Sequence, residues 1–480
     1  MPPRLVAGLC LCYYFRQYFR PVLAGCRFTE ERVMQQNFCF WNDASNPMHP
    51  ASAVDFLPRE QLTAMQLHRL RVTIGRAYEH VSLFRERMDA KGVKPADIRI
   101  LADLAHVPFT VKTDLRDTYP YGLCASPLAD IVRLHVSSGT TGKPTVVAYT
   151  QNDLTVWQQV VVRSLAAAGV HRGDVLQNAY GYGLFTGGMG LHYGAEAMGC
   201  TVLPISGGNT DRQLMLMRDL GVTAISCTPS YFLHLLDEAE KAGLDFRREF
   251  KVRVGIFGAE PWTEEMRQRI QTLSGIHASD IYGLSEIIGP GVAGECRHQT
   301  GLHIFEDHFY PEIIDPETLE VLPEGKVGEL VLTTLSKEAM PMIRYRTRDL
   351  SQLIAEPCPC GRTLRRLKRI SARSDDMLII RGVNLFPSQI ETALLAIKMA
   401  SPHYLIVVDR KENLDTLEVQ VELTPEHFSD NISTLENLHK RIGAAIFEVT
   451  GVHAAVTLVK PHTLPRSEGK LNRVRDLRKK

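Results

Sequence analysis

Apolar positions recur at helical spacing from Arg59 to Met88, through Leu62, Met65, Leu67, Leu70, Val72 and Ile74, and Tyr78 to Val81 continues the same helix. Leu101 to Thr118 mixes short apolar clusters with Pro108. Ile131, Val132, Leu134 and Val136 form a β-rich run into a glycine-rich loop, and Val146 to Tyr149 reads as its return strand. Asn152 to Ala168 predicts a helix capped by Asn152 or Asp153. From 174 to 257 apolar strands alternate with helical stretches: Leu214 to Leu220 and Tyr231 to Ala242 helical, Ala224 to Cys227 and Val252 to Phe257 extended, then a helix from Glu264 to Ser274. That β-then-α order predicts an α/β fold with mixed, mostly parallel sheets and covering helices. Between about 326 and 354 the pattern turns antiparallel, through Glu329 to Thr334 and Leu350 to Ile354. A smaller α+β segment follows, with strands at Leu378 to Ile380, Tyr404 to Val408 and Leu417 to Leu423, and helices at Ser388 to Leu395 and Thr434 to Phe447. The expected boundary lies at Arg373 to Asp376, giving an extension over 1–36, a large domain over 37–373 and a small one over 374–480.

Length adds little to this picture, since 480 residues allow about three domains at ~150 each or two larger ones. Charge removes two partner classes. The 55 basic and 54 acidic side chains leave no global field to hold nucleic acid or an anionic membrane. The run Leu5 to Phe15 is shorter than the ~20 residues a bilayer span needs. It has the length of a signal-peptide core, and Leu23-Ala24-Gly25-Cys26 spells a lipoprotein-type cleavage site, but Arg16, Gln17, Arg20 and Pro21 intervene. A loose extension, or a start at Met34, is the plainer expectation. The cysteines are scattered too widely for a disulfide framework, so a reduced, cytoplasmic setting is expected.

The chemistry concentrates in four short motifs. Ser137-Ser138-Gly139-Thr140-Thr141-Gly142-Lys143-Pro144-Thr145 combines small residues, hydroxyls and a cation, which suits a backbone wrapped around phosphate. A Walker A loop needs four residues before its Gly-Lys and a helix after it; here two residues, a proline and a strand stand in those places. A plain hairpin turn would explain the glycines but not the crowd of hydroxyls. Asp280-Ile281-Tyr282-Gly283-Leu284-Ser285-Glu286 sets an aromatic, a hydroxyl and a carboxylate together, and a carboxylate near nucleotide phosphates is a natural Mg2+ ligand. Asp349, in Tyr345-Arg346-Thr347-Arg348-Asp349-Leu350, could hold a ribose diol or merely end a turn. Lys470, in Pro465-Arg466-Ser467-Glu468-Gly469-Lys470, reads alone as a solvated turn lysine.

In this order the motifs resemble the adenylate-forming (acyl-CoA synthetase) superfamily, and most closely its phenylacetate–CoA ligase family. The resemblance runs from about Phe40 to the C-terminus. It includes Arg373 to Asn384, and Tyr180 to Gly188 and Gly258-Ala259-Glu260-Pro261 are similar to that ligase family specifically. It implies a large AMP-binding domain and a small mobile C-terminal one. It also implies ATP-dependent ligation of phenylacetate or a related arylacetate to CoA through an acyl adenylate, releasing AMP and pyrophosphate. Ser137 to Lys143 would cradle the β- and γ-phosphates and Glu286 would hold Mg2+. Asp280, Tyr282, Gly283, Ser285 and the turn Gly258, Ala259, Glu260, Pro261 would surround the nucleotide. Asp349 and Arg373 would bind ribose. Lys470 would neutralise charge in the adenylation transition state, and Asp375 would be the hinge. Tyr180, Phe185 and Ala259 would line an aryl pocket, although Tyr180 and Phe185 also suit a core. The family's glycine before the hinge-side arginine is Ala372 here, which matters if that position needs φ > 0.

Cys358-Pro359-Cys360-Gly361 offers two thiolates on a tight turn, and Cys296 and His303 could complete a structural zinc site, with His298 and His308 as rival ligands. Similar cysteines occur in relatives of the resembled ligases; ordinary free thiols are the alternative. Expected partners are a small aryl acid, ATP and CoA, with a homodimer as a candidate assembly. Two other readings stand: an adenylating enzyme using another acid or a non-CoA acceptor, and a non-catalytic nucleotide binder. The second is disfavoured because Lys143, Glu286, Asp349 and Lys470 are all present.

Overall fold

A computed structural model of the chain describes residues 49–136, 144–370, 372–374, 378–380, 383–397, 400–411, 414–423, 432–461, 463–464 and 473–478. The expected extension, the phosphate loop Ser137 to Lys143, the hinge residue Asp375 and Lys470 lie outside the described residues.

Helix α1 (Arg59–His80) and α2 (Ser82–Ala90) replace the single helix expected up to Met88. Val81 breaks it at φ −111°, ψ 103°, turning its β-branched side chain into the core. A short helix α3 (Lys112–Asp117) precedes the hairpin β1 (Arg133–Val136) and β2 (Val146–Tyr149). Helix α4 (Gln151–Ala168) starts one residue before Asn152, because Thr150 caps it. Thr150 Oγ1 accepts from Asp153 N at 3.1 Å, and Asp153 Oδ2 accepts from Thr150 N at 3.0 Å.

The αβ succession then runs β3 (Val175–Asn178), α5 (Thr186–Met198), β4 (Thr201–Leu203), α6 (Thr210–Asp219), β5 (Ala224–Cys227), α7 (Pro229–Lys241), α8 (Phe246–Glu249), β6 (Val254–Phe257), α9 (Glu264–Ser274) and β7 (His277–Leu284). These strands are parallel, in the order β7-β6-β5-β3-β4. Beyond β7 the sheet continues antiparallel through β8 (Gly289–Glu295) and β9 (Leu302–Ile304). Strand β3 sits between β4 and β5, so successive connections leave it in opposite directions. The crevice at its carboxyl end is where such sheets bind ligands.

The antiparallel region forms a second sheet, β10-β11-β12-β15, from β10 (Phe309–Ile314), β11 (Gly328–Thr334), β12 (Tyr345–Ser351) and β15 (Ala372–Arg373). Between β12 and β15, β13 (Leu353–Ile354) and β14 (Arg366–Leu367) return to the large sheet. Ala372 is a buried strand residue without positive φ, so this strand does not require glycine there.

The C-terminal unit opens with the hairpin β16 (Leu378–Ile380) and β17 (Val383–Leu385) and helix α10 (Pro387–Leu395). Its sheet is β20-β19-β18-β21, from β18 (Ala400–Lys411), β19 (Leu414–Leu423), β20 (Ala455–Val459) and β21 (Val474–Asp476), covered by α11 (Ile432–Thr450). Leu378, Ile390, Ile406, Val419, Ile442 and Ile446 give it a core of its own. No helix among the described residues is long and apolar enough to cross a membrane.

Candidate active site

Strand pairing brings the distant acid and base motifs together. Asp349 on β12 lies opposite Arg373 on β15. Arg373 Nη1 is 3.3 Å from Asp349 Oδ1, and Tyr282, near the end of β7, donates its hydroxyl to Asp349 Oδ2 at 2.6 Å. Burial, and then the Asp349 charge, push the Tyr282 phenol well above its ordinary range, so it stays a donor. Gly283 is required here, because a Cβ would lie 1.9 Å from Gly289 O across the strand pair.

One residue pair further on, Ser285 Oγ meets Thr186 Oγ1 at 3.0 Å. The Glu286 carboxylate is nearly buried and lies 3.4 Å from Lys112 Nζ, at the start of α3. Lys337 Nζ, fully buried, donates to Glu286 O at 2.9 Å. Burial holds the Lys337 ammonium down to about 8, against the opposing pull of Asp153 and Glu286. Neither lysine belongs to a legible motif; each contact joins segments far apart in the chain.

The β6 end supplies the turn. A Cβ on Gly258 would sit 2.4 Å from Ile281 O, and Ala259 is held at φ 67°, a conformation that costs a non-glycine residue about 1–3 kcal/mol. Glu260 Oε1 accepts from Ser230 N at 2.8 Å, and burial raises its carboxyl above the ordinary range. Pro261 follows on the surface. Asp280 is differently placed: its side chain belongs to a buried charge network with Arg369, at 3.4 Å, and the Arg267–Glu295 pair. Burial and Glu295 push its carboxyl up.

At the crevice by β3, Asn178 is a saturated hub. Its Oδ1 accepts from Ser226 Oγ at 3.0 Å and from Tyr180 N at 3.4 Å, and its Nδ2 donates to Tyr182 OH and Gly188 O, both at 2.8 Å. Tyr180 is buried with the large unit's core and donates its hydroxyl to Cys227 O at 2.7 Å. Phe185 is 53% exposed, outside the core.

The cysteine cluster lies elsewhere, where β8 ends, β9 begins and the Cys358–Cys360 loop returns. One donor atom each from Cys296, His303, Cys358 and Cys360 falls within 4.8 Å of the others. Cys296 Sγ and Cys358 Sγ are 3.6 Å apart, far beyond a disulfide bond. That spacing suits the ~3.8 Å edge of a tetrahedron with ~2.3 Å metal–sulfur bonds. Cys360 Sγ is 3.4 Å from His303 Nε2. The hydrogen bond from Cys296 pulls the Cys360 thiol well below its usual range and leaves Cys296 raised. The rivals are placed otherwise: His298 is exposed, and His308 Nδ1 lies 2.7 Å from Ser336 Oγ. Below the cluster, Arg362 and Arg163 both pair with Asp55, and Arg163 also pairs with Asp307. This network ties the cysteine loop to the first described helical turn, Pro50–Phe56.

The AMP-binding enzyme family matches residues 59–336, and the AMP-binding enzyme C-terminal domain matches 382–478. A phenylacetate-coenzyme A ligase of Thermus thermophilus is 53% identical over 89% of this chain and 99% of its own. The chain belongs to the phenylacetate–coenzyme A ligase family of AMP-binding enzymes. Another member, from Pseudomonas putida, is 53% identical over 90% of this chain and 97% of its own. Among solved structures, a 2-hydroxyisobutyryl-CoA ligase at 28% identity, in its postadenylation state, gives a TM-score of 0.83 over 88% of this chain and 90% of its own. The same enzyme in its thioesterification state gives 0.66, at 29% identity over 88% and 91%. The described arrangement of this family member is therefore nearer the postadenylation one.

Proposed function

We propose that this ligase activates phenylacetate, or a closely related arylacetate, with ATP and transfers the acyl group to CoA. The observation that carries the reading is the pairing of Asp349 with Tyr282 and Arg373 beside the nearly buried Glu286. This is a diol acceptor next to an anionic metal ligand, in a chain about half identical to phenylacetate-coenzyme A ligases along nearly their whole length.

In the first step a carboxylate oxygen of the acid attacks the α-phosphorus of ATP, and pyrophosphate leaves. Catalysis is then mainly positioning and charge stabilisation. Asp349 and Tyr282 hold the ribose. The phosphate loop Ser137 to Lys143 and Lys470 supply donors and charge. Glu286 fits Mg2+, which prefers one or two carboxylates plus phosphate oxygens; bound there, the ion neutralises phosphate charge. In the second step the CoA sulfur attacks the acyl carbon and AMP leaves. Asp375 serves as the hinge between the two steps. The ring of Tyr180 and the strained Ala259 turn face the acyl group.

Cys296, His303, Cys358 and Cys360 hold a structural zinc, a closed set of three thiolates and one imidazole. Such thiols suit a reducing compartment, and the cytoplasm is the proposed location. Supplying wild-type protein with ATP, Mg2+, CoA and a panel of acids tests the substrate. Phenylacetyl-CoA and AMP should form in equal amounts, with the highest kcat/KM among arylacetates; a preference for short aliphatic acids would overturn the assignment.

A further inference from the structure

The seam between the two units carries a buried charge cluster that the proposed reaction does not yet use. Helix α10 packs against α9 of the large unit, and Leu395 rests on the apolar cluster that contains Leu236, Phe257 and Met266. At the same seam His403 Nε2 lies 4.0 Å from Asp237 Oδ2. Arg473 stands three residues after Lys470 and leads into β21, which pairs in parallel with β18. Its guanidinium pairs with Glu391 of α10 and donates to Tyr404 OH of β18 at 3.0 Å. Tyr404 OH in turn donates to Glu391 Oε2 at 3.1 Å, and the guanidinium lies 4.8 Å from the Tyr404 ring centre. Glu391 and Tyr404 are both buried.

Two features make this more than a core ion pair. Glu391 Oε1 is buried with no hydrogen-bond partner among the described residues, so the pair is incompletely satisfied within its own unit. Glu391 also lies on α10, the helix that packs against α9 of the large unit, so Arg473 ties the strand after Lys470 to the seam. Buried ion pairs add little net stability, and their best-attested role is to select one arrangement over others. The selected arrangement here is nearer the postadenylation state of the solved relative than its thioesterification state.

We infer that Arg473, held by Glu391 of the seam helix and by Tyr404, is a positioning residue for the acyl-adenylate step. It fixes the strand that follows Lys470 to the helix that seats the C-terminal unit on the large one. The inference rests on the adenylation reading above. The test runs the two half-reactions separately on full-length protein: phenylacetate-dependent ATP–pyrophosphate exchange, and thioester formation from supplied phenylacetyl adenylate and CoA. Arg473→Gln should slow exchange by about 10²-fold, the scale of an ångström-level misplacement, and leave the thioester step nearly unchanged. Arg473→Lys should restore part of the exchange rate. Glu391→Gln, which removes the other charge of the pair, should slow exchange in the same direction, and a retained thioester rate in each variant shows that the C-terminal unit is folded. Equal slowing of both half-reactions by Arg473→Gln, or unchanged exchange in Glu391→Gln, would overturn the inference. A wild-type protein inert toward every acid would overturn the functional reading, and this inference with it.

Discussion

The cysteine cluster and the nucleotide face are both built where strands of the large unit converge, yet they are finished in opposite ways. In the cluster, four donor atoms face one another within 4.8 Å, and the charges behind them, Arg362, Asp55, Arg163 and Asp307, are already paired. In the nucleotide face, each acid has a partner that a ligand can share or displace. Asp349 has Tyr282 and Arg373, and Glu286 has the half-exposed Lys112. A closed donor set suits a structural ion, and an exchangeable one suits turnover. On the proposed function the cluster serves the fold and the face serves the reaction, and the contrast can be broken from either side.

The largest effect is expected on the open side. Glu286→Gln should lower kcat by about 10²–10³-fold, the cost of removing one well-placed charge-stabilising group, while the thermal midpoint barely moves. A comparable loss of stability would place Glu286 with the structural groups. On the closed side, Cys358→Ser should abolish a zinc content of about one ion per chain and lower the thermal midpoint. Elemental analysis of unchelated wild-type protein that finds no zinc would remove the closed half of the comparison. Tyr282→Phe should be milder, since it loses one hydrogen bond to a charged group, about 1.5–3 kcal/mol, and should raise KM for ATP by roughly ten- to a hundredfold. An unchanged KM would detach Asp349 from the nucleotide.

The smallest effect is in pH. Burial holds His308, beside the Asp307–Arg163 pair, down to about 3, and His49 and His277 to about 4. A depressed folded value means that the unfolded chain takes up the proton first. Their contribution to stability is therefore whole above the ordinary 6.5 and is lost as pH falls towards 4, at about 1.4 kcal/mol per pH unit for each ring. The Asp280 carboxyl, raised by burial to about 8, titrates in the opposite sense and offsets one ring, so thermal midpoints should still fall with acidity between pH 6.5 and 5; a flat profile there would contradict the buried neutral rings.

What could be read from the chain alone was chemistry packed into short stretches. Tyr282, Gly283 and Glu286 stand within five residues, and the three cysteines and His303 were found as ligand types before their geometry was known. Helix α9 begins and ends where its pattern predicts, because Thr263 and Gly275 cap a regular amphipathic run. The misses share one cause. Lys112, Lys337, Asn178 and Arg473 act through partners distant in sequence, and in isolation each is an ordinary polar residue. Val81 ended a helix that local periodicity would have continued, because the core, not propensity, decides where that chain turns. Asp280 shows the reverse: it shares a motif with Tyr282, yet its side chain joins the Arg369 network.

The central claim is that an acid and ATP form an acyl adenylate before CoA takes part. The direct measurement is exchange of labelled pyrophosphate into ATP by the wild-type protein, with Mg2+ and phenylacetate present and CoA absent. The account predicts exchange that depends on the acid, followed by stoichiometric phenylacetyl-CoA when CoA is added. Exchange that proceeds without any acid, or that starts only once CoA is present, would contradict it.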